Sequence, residues 1–159
     1  MIKGEDMIYE DLIFLKKKFI DKKEFFDFSF KILRERNIVK ESYYESIINR
    51  EKMYPTGLQT KYMGIAVPHT DTMHVNKDAF LFVSLEEPLL FGNMSGDEDK
   101  VEVELIFMMV LSSPGGQIKA LQNLSNIFID DEKLKRLRDS NDINEVREIL
   151  GKVLDDNSL

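Results

Sequence analysis

A chain of 159 residues carries about one domain's worth of sequence, enough to bury roughly two-thirds of its unfolded surface. A net charge of −7 with no strongly basic stretch argues against a nucleic-acid footprint and against docking to an anionic membrane surface. The complete lack of cysteine excludes a disulfide framework, a zinc knuckle and a thiolate nucleophile.

The first stretch, MIKGEDMIYEDLIFLKKKF, sets acids before its short apolar run and has no small-residue cleavage site, so it does not read as a signal peptide. Residues 7–15 are expected to form a short strand that ends at the lysine cluster 16–18. From Asp21 the period becomes helical: Phe26, Phe30 and Leu33 share a face, Phe25 and Ile32 widen it, and Asp21 is suited to cap the helix. A second helix is predicted over 39–52 with Tyr44, Ile47 and Ile48 inward, stopping ahead of Pro55, and Pro55-Thr56-Gly57 is turn chemistry. Strands follow at 62–67 and 79–85. Residues 85–99, with Pro, two Gly and five acids, read as loop containing one short strand at 89–91.

Val101, Val103 and Leu105 alternate and then merge into a solid apolar run, the pattern of a strand entering the middle of a sheet covered on both faces. That run, 105–111, is far short of the roughly 20 residues needed to cross a bilayer. A helix with Ile118, Leu121, Leu124 and Phe128 on one stripe comes next. Two shorter helices close the chain, around Leu134 and Leu137 and around Ile143, Val146 and Leu150; the last starts with the capping pair Asp142 and Glu145 and is expected to stop at Gly151. The order β-α-α-β-β-β-α-α-α predicts an α/β sandwich with a central mixed β-sheet flanked by helices. It further predicts one domain over 1–154, a frayed tail over 155–159, and a soluble, cytoplasmic protein without direct membrane insertion.

Both histidines fall in PTGLQTKYMGIAVPHTDTMH, residues 55–74. His69, Asp71 and His74 invite a metal reading, but a spacing of five shares neither a helix face nor a strand face, and no other His or Cys can complete the set. No metal and no cofactor are therefore expected. His74, beside Val75 and Asn76, reads as a polar surface residue. His69 is different: it follows Gly64-Ile65-Ala66-Val67, with small residues at two positions, and Pro68, which holds Val67 extended. An imidazole so fixed suits a reactive group, and a neutral histidine is a competent nitrogen nucleophile. No Gly-x-Ser-x-Gly elbow supports a hydrolase, and no Gly-x-x-x-x-Gly-Lys loop supports a nucleotide as direct phosphoryl source.

Arg50-Glu51, then Thr56-Gly57, then Gly64 to His69 stand in an order and spacing that resembles the enzyme IIA component of the sugar phosphotransferase system, fructose/mannitol class. The resemblance covers nearly the whole chain. It implies that His69 is phosphorylated, taking the group from the phosphocarrier protein HPr and passing it to a cysteine of an enzyme IIB. That cysteine is absent here, so enzyme IIB and the membrane enzyme IIC are expected to be separate polypeptides. Thr70-Asp71 stands where many members carry Gly after the histidine, and Gln117 stands where many carry a second histidine; the combination of Pro55-Thr56-Gly57, Pro68-His69-Thr70 and Gln117 most resembles the galactitol-type branch.

A phosphoryl group in flight spreads charge over its equatorial oxygens, and the planar fork of Arg50 suits them without a metal. The competing reading pairs Arg50 with Glu51 or Glu45 at a solvated helix end. Thr56 and Thr70 can offer hydroxyls to the phosphoryl group or to the second ring nitrogen, and Thr56 can equally be a turn builder. Gln117 is either a phosphate donor or an early-helix surface residue. Met63, Met73 and 85–91 are expected to form an apolar docking rim. The nitrogen-type relatives, whose phosphorylation state switches binding to other proteins, supply a second functional expectation.

Overall fold

A computed structural model describes residues 7–155; of the expected frayed tail only Asp155 lies inside that range. The elements are β1 (Ile13–Lys17), α1 (Lys22–Glu35), α2 (Tyr43–Met53), β2 (Gly57–Gln59), β3 (Gly64–Ala66), β4 (Ala79–Phe91), β5 (Val101–Val110), α3 (Pro114–Phe128), α4 (Asp131–Asp139) and α5 (Ile143–Leu154). The five strands form one sheet in the order β1-β4-β5-β3-β2. β1 runs parallel to β4 and β3 parallel to β5, whereas β4–β5 and β2–β3 are antiparallel, so the sheet is mixed.

The apolar run that begins at Leu105 is central because it is covered twice. Leu105, Phe107 and Met109 face one way, onto Leu124, Ile127, Leu134, Val146 and Leu150 of α3, α4 and α5. Ile106, Met108 and Val110 face the other way, onto the layer of α1 and α2 that supplies Phe25, Phe26, Leu33, Tyr43 and Ile47. β4 divides similarly, with Phe80 and Phe82 on the first side and Leu81 and Val83 on the second. This is the expected α/β sandwich. Asp21 caps α1 as its position suggested, its carboxylate accepting from Glu24 N at 2.9 Å.

Several local expectations are corrected. β1 starts at Ile13, after a 3₁₀ turn over Glu10–Leu12, because the strand begins only where its parallel partner Phe82 lies alongside. α2 starts at Tyr43 rather than near 39: Val39 bridges Val75, and Ile38 O accepts from Asn76 N and Lys77 N, so this backbone is committed elsewhere. Tyr43, not Tyr44, is the fully buried tyrosine. β2 is a strand where only a turn was expected. β4 continues to Phe91 through a register shift between Ser84 and Leu89 that absorbs the Glu86-Glu87-Pro88 step. In α3 the buried stripe is Ala120, Leu124, Ile127 and Phe128, and Ile118 is 61% exposed. α5 runs through the buried Gly151 to Leu154, and Asp142 caps it through Asn144 N, not Glu145.

Candidate functional site

His69 sits three residues past the end of β3, and the backbone before it is tied on both sides. Val67 N donates to Thr56 O at 3.3 Å, and Pro68 O accepts from Met109 N of the central strand at 3.0 Å. What approaches the small residue Gly64 is that neighbouring strand: a Cβ there would lie 2.1 Å from Glu102 O. The half-buried imidazole turns back on its own chain, with Nδ1 2.8 Å from Val67 O. A carbonyl oxygen only accepts, so Nδ1 carries the proton, and in the neutral ring Nε2 holds the lone pair. Burial lowers the pKa of His69, the Arg50 charge lowers it further, and the bond to Val67 works in the opposite sense. The result is a neutral imidazole at physiological pH with one nitrogen reserved for positioning and the other available for chemistry.

Arg50 lies in the last turn of α2. Its guanidinium packs over the Tyr54 ring at 5.0 Å and reaches Asp71 Oδ1 at 3.7 Å. Glu51, one of the two partners that the competing reading gave to Arg50, is engaged elsewhere. Glu51 is only 2% exposed and accepts from Thr56 N at 3.0 Å and from Thr56 Oγ1 at 2.9 Å. Burial raises its pKa to about 7 against the opposing effect of those two bonds.

The remaining predicted residues brace the chain around His69. The hydroxyl of Thr56 is directed to Glu51. Thr70 is buried, and its hydroxyl meets Ser46 of α2. Gln117 Nε2 donates to Thr70 O at 2.7 Å, so α3 holds the peptide that follows the histidine. Of the expected rim, Met63 is buried at 2% exposure, as are Leu85, Leu89 and Phe91, because these side chains are needed by the core; Leu90 is exposed. Met73 is exposed, as are Met53 and Tyr54 beside Arg50 and Ile118 beside Gln117. His74 is bound separately, Nδ1 meeting Ser42 Oγ at 2.7 Å and its carbonyl accepting from Lys40 N. Among the described residues, no group of three His, Cys, Asp or Glu is placed to hold a metal ion.

Sequence reasoning did not single out Glu51, Ser46, Tyr54 or Asp71 for these contacts. One signal existed for Glu51: Tyr43, Ile47 and Glu51 recur every four residues and so share the inward face of α2.

Comparison with known proteins supplies a family. The model of the phosphoenolpyruvate-dependent sugar phosphotransferase system, EIIA 2, matches residues 6–153. The galactitol-specific EIIA component of Escherichia coli K12 is 26% identical over 106 residues, which is 67% of this chain and 70% of that protein. A nitrogen regulatory protein of Bradyrhizobium diazoefficiens is 28% identical over 109 residues, covering 67% of each. Among solved structures, enzyme IIA Mtl in its complex with phosphorylated enzyme IIB Mtl from Escherichia coli superposes with a TM-score of 0.69 at 26% identity, over 89% of this chain and 95% of that one.

Proposed function

As this chain belongs to the EIIA 2 family of the phosphoenolpyruvate-dependent sugar phosphotransferase system, we propose that it carries a phosphoryl group on Nε2 of His69. The observation that carries this reading is the bond from Nδ1 to Val67 O, which leaves the Nε2 lone pair as the ring's only nucleophile. The donor is phospho-HPr. Nε2 attacks phosphorus in line, the donor's P–N bond breaks, and its electron pair returns to the donor nitrogen. No proton need leave His69, because the attacking nitrogen is already bare. Arg50 meets the charge on the equatorial oxygens as Asp71 releases it. Transfer onward runs the same geometry in reverse, with the thiolate of a separate enzyme IIB as nucleophile and enzyme IIC as the membrane component that IIB serves. Thr56, Thr70 and Gln117 support the site by holding backbone and neighbours rather than by touching phosphate.

The test is labelling by phospho-HPr. His69→Ala is expected to abolish incorporation and His74→Ala to leave it intact; acid-labile label persisting in His69→Ala refutes the assignment. Galactitol is the proposed sugar, supported by the galactitol-specific relative and by the Thr70-Asp71 and Gln117 departures. Faster transfer to a galactitol-type IIB than to a mannitol-type IIB supports it. The likeness to a nitrogen regulatory protein favours one alternative, a cytoplasmic regulator whose phosphorylation state switches its binding partners. Phosphorylation by phospho-HPr with transfer to no IIB would favour that role.

A further inference from the structure

Glu51 is a glutamate where an apolar side chain would pack at less cost. It is almost wholly withdrawn from water, on the face of α2 that also presents Tyr43 and Ile47 to the core. Burial of a carboxylate is unfavourable, and two hydrogen bonds from one residue offset it only in part. What those bonds connect is informative. The amide and hydroxyl of Thr56 donate to the carboxylate, Thr56 O accepts from Val67 N, and Val67 O accepts from His69 Nδ1. One unbroken series of hydrogen bonds therefore runs from the Glu51 side chain to the imidazole ring. Its first residue is the immediate neighbour of Arg50.

We propose that Glu51 is a positioning residue for phosphoryl transfer, locking the end of α2 that carries Arg50 to the β2–β3 pair that carries His69. Arg50 and His69 come from different elements, and their mutual placement is set by how those elements join. Ser46 and Arg50 of α2 also reach the residues after His69, through Thr70 and Asp71, and the Glu51–Thr56 pair adds a buried tie where α2 turns into β2, beside the solvent-facing Tyr54. The same series helps to orient the ring, because Val67, whose carbonyl accepts from Nδ1, is held by Thr56 on one side while Met109 holds Pro68 on the other. Glutamine can hold both bonds, its carbonyl accepting from Thr56 N and its amide donating to Thr56 Oγ1; leucine can hold neither.

This inference rests on His69 being the phosphorylated residue, and the experiment separates the two. Wild type, Glu51→Leu, Glu51→Gln and Thr56→Val are phosphorylated by phospho-HPr in single-turnover assays, and the His69 ring nitrogens are followed by ¹⁵N NMR. Glu51→Leu is expected to be slower by roughly ten- to a hundredfold, the scale of a misplacement of about 1 Å at a reacting centre. Its ring signals are expected to spread over both tautomers, and Glu51→Gln is expected to recover most of the lost rate. Thr56→Val, which keeps the amide bond, is expected to be slower by roughly three- to tenfold and is decisive if Glu51→Leu does not fold. A wild-type rate with a wild-type ring spectrum in Glu51→Leu, or in Thr56→Val where that variant must stand in, overturns the proposal. So does a Glu51→Gln rate as low as that of Glu51→Leu. Failure of the wild-type protein to take label at His69 overturns the functional reading instead, and the ring spectra still report the positioning.

Discussion

Replacing Gly64 with alanine tests whether the strand leading to His69 is held by the close approach described above. The new Cβ would stand 2.1 Å from Glu102 O and 2.7 Å from Val101 Cγ1, where real Cβ atoms keep at least 3.0 Å. β3 and β5 would have to part by roughly 1 Å, which takes a ladder bond beyond hydrogen-bonding range. β3 is enclosed between β2 and β5 and is buried throughout, so neither the displaced strand nor water readily compensates. Two buried peptide groups left without partners cost about 1–3 kcal/mol each, giving a loss on the order of 3–4 kcal/mol. For a domain of this size that is a fall in Tm of roughly 10 °C, measured by far-UV circular dichroism. Gly115→Ala is the matched control: no atom lies within 4 Å of its added Cβ, in the first turn of α3. It is expected to be neutral or stabilising by up to about 1 kcal/mol. A Gly64→Ala protein melting within about 2 °C of wild type would refute the reasoning, since β3 would then have shown room that the geometry denies it.

Three further outcomes follow from the site. Arg50→Ala is expected to slow phosphoryl acceptance by roughly a hundredfold and Arg50→Lys to recover only part of it, because an ammonium lacks the planar fork; rapid-quench rates within threefold of wild type for Arg50→Ala would remove the residue from the chemistry. Asp71→Asn frees the guanidinium from an exposed pair of about 1 kcal/mol or less, so acceptance should accelerate by about two- to fivefold at low salt and the gain should shrink in high salt. A slower Asp71→Asn protein would contradict this. Glu51 has a folded-state pKa raised from the ordinary 4.5 to about 7, so the folded chain binds the extra proton in that window and stability falls as pH rises through it. Relative to Glu51→Gln, wild type should therefore lose up to about 3 kcal/mol between pH 5 and pH 8 in urea titrations, and a pH-independent difference would contradict the buried carboxylate.

Much of this architecture was legible in the residues. The change from alternation to a solid run at Leu105 announced a central strand, and it lies between β4 and β3 with helices on both faces. Asp21, followed by phenylalanines at helical spacing, announced α1. β2 was not legible, because three residues without alternation become a strand only when β3 lies beside them. Ile118 illustrates a second limit: helical spacing tells which residues share a stripe, but the packing of α3 on α4 and α5 decides which stripe turns inward. At the site, the Pro-His step singled out His69 from sequence alone. The destinations of Thr56, Thr70 and Gln117 were not readable, because a hydroxyl or an amide finds its partner only once elements distant in sequence meet. Glu51 was the hardest to read, since a charge near a helix end looks solvated until the turn that buries it has formed.

The bond from the ring to Val67 O has a kinetic consequence. An imidazole moored at one nitrogen presents a single lone pair along a single line. If that lone pair carries cargo, the protein that delivers it and the protein that collects it must come to the same berth and cannot occupy it together. Traffic is then strictly alternating, and turnover is set by how quickly each visitor departs. Tight association with either one would stall the other, so brief, weak encounters are what such a carrier requires.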